Sequence, residues 1–187
     1  MSFGDSLIKR VVETLREEFP RLRHFATLSP IPGLRGWLGK NATDLLARLD
    51  DKQRGELSRA LGSAPPSAAS LLAALESPLA LPASSPVREM LLRCAAHYLA
   101  QGWTDGKPAD AVARFHLGNG ARVERLNWGA DPSAKGIKQS WGLMVNYLYD
   151  LKRLDKHRAL LAQGTIPASG EIESLHVASR GSRSARP

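Results

Sequence analysis

Proline and glycine divide the first half of this chain into short segments. Pro20 ends any helix that precedes it, and residues 29–33 (SPIPG) place two prolines in one turn. Each proline fixes its own φ and holds the preceding residue in an extended conformation. Two further breaks rich in proline, glycine and serine stand at residues 62–66 and 81–86. We therefore predict short elements joined by rigid turns over residues 1–86.

The length and composition are typical of one globular domain. A chain of 187 residues with 43% hydrophobic and 24% charged residues argues against collagen, coiled coil and wholesale disorder. It contains no apolar run of about 18 residues and does not begin like a signal peptide, so we expect no membrane contact. Cys94 is the single cysteine, which excludes an internal disulfide. These features favour a cytoplasmic protein.

The net charge of +8 favours an anionic partner. Nucleic acid, an anionic membrane face and a phosphate-bearing ligand all fit this charge. A nucleic-acid-binding module is disfavoured, because the chain has no recognition motif and its aromatic residues are not interleaved with basic ones. Part of the charge belongs to residues 176–187, which carry three arginines and no acid. We predict that this basic tail is disordered.

Hydrophobic spacing predicts helices and one strand before residue 101. Leu7, Val11 and Leu15 are spaced by four, which predicts an amphipathic helix over residues 6–18. Residues 24–28 form a candidate strand. Residues 34–85 are rich in Ala, Leu, Ser and Pro, and they are interpreted as a helical insertion rather than a chemical centre. A further helix is predicted over residues 87–100.

The residue pattern in the second half of the chain differs from that in the first half. Residues 111–117 and 121–128 are predicted to be two strands joined by a tight turn at Asn119-Gly120. In such a strand His116 and Arg114 point away from the apolar side chains. A long helix is then predicted from about residue 131 to residue 151, with Tyr149 near its C-terminal end.

Catalytic motifs of the common enzyme classes are absent from the sequence, and its histidines show no metal-ligand spacing. From the residues alone, the ordinary interpretations are a surface position for His116, a turn position for Ser29 and a core position for Tyr149. The functional alternative for Ser29 is a hydroxyl held rigidly by two prolines at a strand end. Both interpretations remain open at this level.

Several segments together resemble malonyl-CoA decarboxylase, in the order in which they occur in that family. These segments are residues 25–33 (FATLSPIPG), 112–121 (VARFHLGNGA), 125–128 (RLNW), 142–149 (GLMVNYLY) and the opening residues 2–12 (SFGDSLIKRVV). The resemblance runs from about residue 2 to about residue 175. It is weakest in the helical insertion at about residues 34–85 and in the tail at residues 176–187.

The resemblance implies an α+β fold, namely part of a GNAT-like (acetyltransferase-type) catalytic domain with an inserted helical segment. Its catalytic serine, histidine and tyrosine fall on Ser29, His116 and Tyr149. Ser29 and His116 are also implied to contact the substrate. The acyl-CoA-binding loop of the family, just before the first helix, reaches this chain only at four residues: Ser2, Phe3, Gly4 and Asp5.

The function that the resemblance implies is a carboxy-lyase of fatty-acid metabolism. Malonyl-CoA is converted to acetyl-CoA and CO₂, with Ser29 orienting the carboxylate or the enolate and His116 as proton donor. No metal or organic cofactor is implied, because coenzyme A is part of the substrate. The resemblance also points to a homo-oligomer for the full-length enzyme and gives no role for nucleic acid.

The chain resembles only the C-terminal part of the catalytic domain, residues 1–175, and we expect it to be an N-terminally truncated form with little activity by itself. Two alternatives remain open. An acyl-CoA-dependent acyltransferase would use the same coenzyme A site, and a non-catalytic remnant would keep the fold without the reaction.

Overall fold

The computed structural model describes residues 3–175, and for residues 3–7 and 9 it describes the backbone alone. Helices and strands alternate irregularly along the chain. In order they are α1 (Phe3–Glu18), β1 (Ala26–Pro30), α2 (Leu34–Ala47), α3 (Asp51–Leu61), α4 (Ala68–Ala74), a 3₁₀ turn (Pro78–Ala80), α5 (Pro86–Gln101), β2 (Trp103–Thr104), β3 (Lys107–Pro108), α6 (Ala111–Gly118), β4 (Arg122–Asn127), α7 (Ala134–Ser140), β5 (Met144–Leu148), α8 (Leu154–Ala162) and α9 (Gly170–Ser174).

A three-stranded antiparallel sheet organises the molecule. Its strand order is β1-β5-β4, so the last strand in the sequence lies in the centre of the sheet. β5 pairs with β1 from Ala26 opposite Leu148 to Pro30 opposite Met144. A two-stranded hairpin, β2-β3, stands apart from this sheet. The fold class is therefore α+β, as expected from the sequence.

One apolar core joins the helices to the sheet. Leu38 of α2, Leu71 of α4 and Leu91 of α5 are fully buried in the same cluster as Val145 and Tyr147 of β5. The helical segment over residues 34–85 thus shares its core with the sheet. Within residues 3–175, no helix has the length and apolar character that crossing a membrane requires.

The elements predicted before residue 101 are confirmed. α1 covers the predicted first helix, and β1 overlaps the candidate strand but extends through Ser29 to Pro30. α2, α3 and α4 occupy the stretch that was predicted to be helical, and α5 matches the helix predicted over residues 87–100. The predicted tail, residues 176–187, lies outside the described residues.

The prediction of a strand over residues 111–117 is wrong, because this segment is helix α6. The carboxylate of Asp110 accepts hydrogen bonds from the N–H groups of Val112 and Ala113 and so caps a helix N-terminus. Asn119-Gly120 is correspondingly a helix C-cap and not a hairpin turn. Gly120 N–H bonds to Leu117 O, Ala121 N–H bonds to His116 O, and Gly120 has φ +86°.

The long helix predicted from residue 131 to residue 151 is also wrong. α7 ends at Ser140, and the chain then passes through Trp141 and Gly142, which have φ values of +54° and +79°. Two successive residues in the left-handed region cannot continue a right-handed helix. The chain reverses there and forms β5, which places Tyr149 directly after a central strand.

Candidate active site

β1 and β5 place three hydroxyl-bearing side chains and one valine on the inner face of the sheet. Thr27 lies opposite Tyr147 and Ser29 opposite Val145, so these four side chains share one face. Ser29 is 5% exposed, whereas its neighbours in the strand, Leu28 and Pro30, are exposed. Strand alternation therefore turns the Ser29 hydroxyl inward and away from solvent.

α6 presents His116 to the same face. His116 is buried together with Ala113 and Leu117, at the i, i+3, i+4 spacing of a helix face. Phe115 is 53% exposed and packs edge-on against the His116 ring, with ring centroids 5.1 Å apart. The predicted grouping is therefore wrong for Phe115 and His116. Phe115 points outward and His116 points inward, because the period of this segment is helical.

The three residues that were predicted as catalytic are in contact. Ser29 Oγ lies 3.1 Å from His116 Nε2, and the Tyr149 hydroxyl lies 2.7 Å from His116 Nδ1. These contacts join positions 87 and 33 residues apart in the sequence. His116 is 9% exposed and Tyr149 is 4% exposed.

One ordering of donors that satisfies the whole cluster starts from the Ser29 hydroxyl. Ser29 Oγ donates to Thr27 Oγ1 at 3.0 Å, so its remaining contact with His116 is as an acceptor from Nε2–H. His116 Nδ1 then accepts from the Tyr149 hydroxyl, because a neutral imidazole carries one donor and one acceptor. In this ordering the hydrogen bonds run from Tyr149 through His116 and Ser29 to Thr27.

Burial sets the protonation states of this cluster. It lowers the pKa of His116 to about 4, because a charged imidazolium loses its hydration there. Burial also raises the pKa of Tyr149 above its ordinary value. Without substrate, His116 is therefore neutral and Tyr149 protonated at neutral pH, which agrees with the donor ordering above.

Tyr147 forms the floor of the site. Its ring stacks on His116 with centroids 4.5 Å apart and an interplanar angle of 20°. It is fully buried, and its hydroxyl has no hydrogen-bond partner in the part of the chain that the structure describes. Burial, followed by the charge of Asp110, raises its pKa well above the ordinary value. Tyr147 is therefore a neutral, rigid wall that fixes the plane of the His116 ring.

Two cavities meet at Tyr149 and at the strand start around Phe25. The first has a volume of about 390 Å³, lies between α1 and β1 and reaches Thr27 and Tyr149. Its walls are mainly apolar: Ile8, Val11, Val12, Leu15, Leu22, Phe25 and Ala26. The second, of about 460 Å³, is lined by five cationic residues and two acids: Arg16, Arg23, Arg122, Lys152 and Arg153, with Glu124 and Asp150.

Three of the four remaining predicted substrate-binding residues lie at the start of α1. Phe3, Gly4 and Asp5 form its first turn, so the helix begins three residues before the predicted start. Ser2 and the side chains of Phe3 and Asp5 lie outside the described part of the chain, and the role of all four residues stays a prediction. Two asparagines donate side-chain hydrogen bonds to backbone carbonyls: Asn119 to that of Phe115 and Asn146 to that of Thr27.

Three residues of the site were not identified as functional from the sequence. Thr27 and Tyr147 each precede a candidate residue by two positions, so the strand period could have indicated their shared face. Asp110 precedes Ala111 as a helix cap, a signal that the strand interpretation of residues 111–117 concealed. Among the described side chains, no three His, Cys, Asp or Glu residues converge on a metal position.

Residues 1–186 match the family model described as the malonyl-CoA decarboxylase C-terminal domain. The chain belongs to this family.

Known malonyl-CoA decarboxylases resemble the chain over most of its length. Malonyl-CoA decarboxylase of Rattus norvegicus, named as mitochondrial, is 36% identical over 188 residues, covering 94% of this chain and 37% of the rat protein. The crystal structure of malonyl-CoA decarboxylase from Cupriavidus metallidurans has a TM-score of 0.80 at 45% identity and covers 94% of this chain and 44% of that one. The crystal structure of malonyl-CoA decarboxylase from Rhodopseudomonas palustris has a TM-score of 0.70 at 37% identity, and the match covers 94% of this chain and 38% of that one. The chain thus spans less than half the length of each of these relatives.

Proposed function

We propose that this chain carries a decarboxylation site that converts malonyl-CoA to acetyl-CoA and CO₂, a carboxy-lyase reaction of fatty-acid metabolism. The observation that carries the proposal is the contact of His116 with both Ser29 and Tyr149 in a buried cluster. Membership of the malonyl-CoA decarboxylase C-terminal domain family supports the same reaction.

The reaction breaks the bond between C2 of the malonyl group and its carboxylate. The electron pair of that bond passes to the thioester as an enolate, CO₂ leaves, and C2 then takes up one proton to become the methyl group of acetyl-CoA. The Ser29 hydroxyl is placed to hydrogen-bond the carboxylate or the enolate oxygen. The thioester itself accepts the electron pair, so the proposed step uses no metal or organic cofactor.

His116 is the proposed proton donor. Its pKa of about 4 leaves it neutral before substrate enters. A malonyl carboxylate within about 4–6 Å raises the pKa of a neighbouring histidine, because opposite charges favour the charged form. His116 thus takes a proton when the anionic substrate binds and delivers it to C2 from Nε2, while Tyr149 holds the ring through Nδ1.

The two cavities support a substrate with an apolar arm and anionic groups. The apolar cavity between α1 and β1 suits the acyl-thioester arm, since it reaches Thr27 and Tyr149. The basic cavity carries a net positive lining that suits phosphate groups. The proposal also retains Ser2, Phe3, Gly4 and Asp5 as substrate contacts at the N-terminal end of α1.

The proposed domain type is GNAT-like. A helix, α1, leads into the strand that holds Ser29, and β5 inserts between β1 and β4. Both features support a partial acetyltransferase-type sheet with a helical insertion. A cytoplasmic location and a homo-oligomer of the longer enzyme remain part of the same proposal.

Release of CO₂ tests the reaction directly. The purified chain is incubated with malonyl-CoA labelled in its free carboxylate, and labelled CO₂ is counted against a protein-free blank. We expect release above the blank, and we expect Ser29→Ala and His116→Gln each to lower the rate by about 100-fold or more. Ser140→Ala is the matched control, because Ser140 is equally buried but bonds the backbone carbonyls of Gly136 and Leu143.

The alternatives give different products in the same assay. An acyltransferase would move an acyl group to an amine without releasing CO₂, and a non-catalytic remnant would leave malonyl-CoA intact. Equal release from wild type, Ser29→Ala and His116→Gln would contradict the assigned roles, and the absence of release from the wild-type chain would contradict the activity.

A further inference from the structure

We propose that Asp110 is a positioning residue that holds the turn after Ser29 against the helix that carries His116. The inference rests on the proposed roles of Ser29 and His116. It concerns the contact between them and not a contact with substrate.

Asp110 is 2% exposed, and its two carboxylate oxygens have different partners. Oδ1 accepts from the N–H groups of Val112 and Ala113 at 2.9 and 3.0 Å, and so caps α6. Oδ2 accepts from the Gly33 N–H at 3.3 Å and from the Tyr98 hydroxyl at 3.4 Å. One side chain therefore joins α6, the turn after β1 and helix α5.

The close approach of Gly33 indicates that this junction is built tightly. A Cβ added at Gly33 would lie 2.2 Å from the Tyr98 hydroxyl oxygen and 3.4 Å from Asp110 Oδ2. Gly33 follows Ser29 by four residues, and His116 follows Asp110 by six. The junction thus lies close in sequence to both partners of the Ser29–His116 hydrogen bond.

The opposite end of α6 is held by a different histidine. His157 Nδ1 lies 2.9 Å from the carbonyl oxygen of Gly120, at the C-terminal cap of α6. The contact with His157 fixes the C-terminal end of α6. The junction at Asp110 then sets the distance between the N-terminal end of α6 and β1. Loss of that junction is expected to lengthen the 3.1 Å contact between Ser29 Oγ and His116 Nε2.

The Asp110→Asn variant tests the junction without removing the helix cap. Asparagine caps a helix N-terminus as well as aspartate does, so Oδ1 retains its role at Val112 and Ala113. The amide nitrogen that replaces Oδ2 cannot accept the Gly33 N–H. Asp50→Asn is the matched control, because Asp50 caps α3 through the Gln53 N–H at a helix remote from the site.

Two measurements report the result. In the CO₂-release assay we expect Asp110→Asn to lower kcat by about 10- to 100-fold with KM changed less than about twofold. In NMR titration we expect the pKa of His116 to rise from about 4 towards 6.5 as water reaches the loosened site. Among the described residues, the ionisable groups in contact with the His116 ring are Tyr147 and Tyr149, whose raised pKa values keep them neutral in this range. Asp50→Asn should change neither result.

The titration needs no turnover, so failure of the proposed reaction and failure of this inference are distinguishable. A folded Asp110→Asn protein with an unchanged His116 titration would overturn the inference, whatever its CO₂ release. Should Asp110→Asn fail to fold, Tyr98→Phe decides, since it removes one donor to Oδ2 and keeps the α6 cap. A smaller rise in the His116 pKa supports the junction in that variant, and no rise overturns it.

Discussion

At the scale of single residues, the environment of His116 is the most unusual feature of the site. Each ring nitrogen contacts one hydroxyl, Nε2 that of Ser29 and Nδ1 that of Tyr149, and the ring stacks on Tyr147. None of the described contacts of the ring is with a carboxylate. In such a site the histidine is neutral in the free protein, and an anion that enters the site favours its protonated form. Under the proposed function, the geometry would link proton uptake to the binding of the anionic malonyl group.

The depressed pKa of His116 has a consequence for stability. Between about pH 6.5 and pH 4 the unfolded chain binds a proton at this histidine and the folded protein does not. His116 therefore contributes to the free energy of unfolding above pH 6.5, and this contribution is lost as the pH falls to about 4. We expect the stability difference between wild type and His116→Gln to shrink over this window.

Urea unfolding at pH 7.5, 5.5 and 4.5, values chosen to span the window of about 4 to 6.5, measures this difference. Groups that titrate in both proteins cancel in the comparison. A difference that stays constant between these pH values would contradict the proposed burial of a neutral His116.

At the scale of elements, α6 and its C-terminal turn determine where His116 points. The left-handed residue of this turn, Gly120, packs against α8. A Cβ at Gly120 would lie 2.8–2.9 Å from backbone and side-chain atoms of Leu154. The turn therefore requires glycine both for its positive φ and for the close approach of α8.

Gly120→Ala should destabilise the protein by about 2–4 kcal/mol, since the left-handed conformation and the clash with Leu154 both oppose it. Gly164→Ala is a matched control. Gly164 has φ +80° and ends α8 with the same pair of hydrogen bonds, Gly164 N–H to Leu161 O and Thr165 N–H to Leu160 O. An added Cβ there meets no atom of the described residues within 4 Å.

The control should lose only about 1 kcal/mol, the cost of the backbone conformation alone. Chemical denaturation of both variants and wild type measures the two values. Equal losses would show that the approach of α8 to Gly120 is looser than the structure indicates.

At the scale of the whole molecule, the helical segment and the site share one apolar core. Leu71 of α4 is fully buried in the cluster that includes Val145 and Tyr147. A core that is continuous between elements favours one cooperative unfolding transition. The stability of the site should therefore depend on packing in α4, far from it in the sequence.

Leu71→Ala should lower the free energy of unfolding by about 2–5 kcal/mol, the usual range for truncating a buried leucine. Circular dichroism follows the helices and the NMR signal of His116 follows the site. We expect both transitions to shift together. Leu79→Ala, at a leucine that is 51% exposed, is the control and should change stability by less than about 1 kcal/mol.

Separate transitions in Leu71→Ala would contradict a shared core. In that case the site signal would keep its wild-type midpoint while the helical signal moved to lower denaturant concentration.

The parts of the fold that local patterns could predict are those with long, regular periodicity. α1 and α5 each span sixteen residues and were predicted from their apolar spacing. The segment over residues 111–117 was too short for its period to be decisive, because alternating apolar residues occur on a helix of eight residues as well as on a strand. The Asn119-Gly120 turn was ambiguous for a related reason, since hairpins and helix C-caps both need a positive φ.

Local patterns and the family resemblance were enough to indicate the family of this chain, its α+β class and the candidate residues Ser29, His116 and Tyr149. The folded structure was needed to establish that these side chains meet, which neighbours they have and how His116 is oriented. The hydrogen bonds that join them cross 87 and 33 residues. Local propensity acts over a few residues, whereas contacts between distant residues are selected by packing of the whole core.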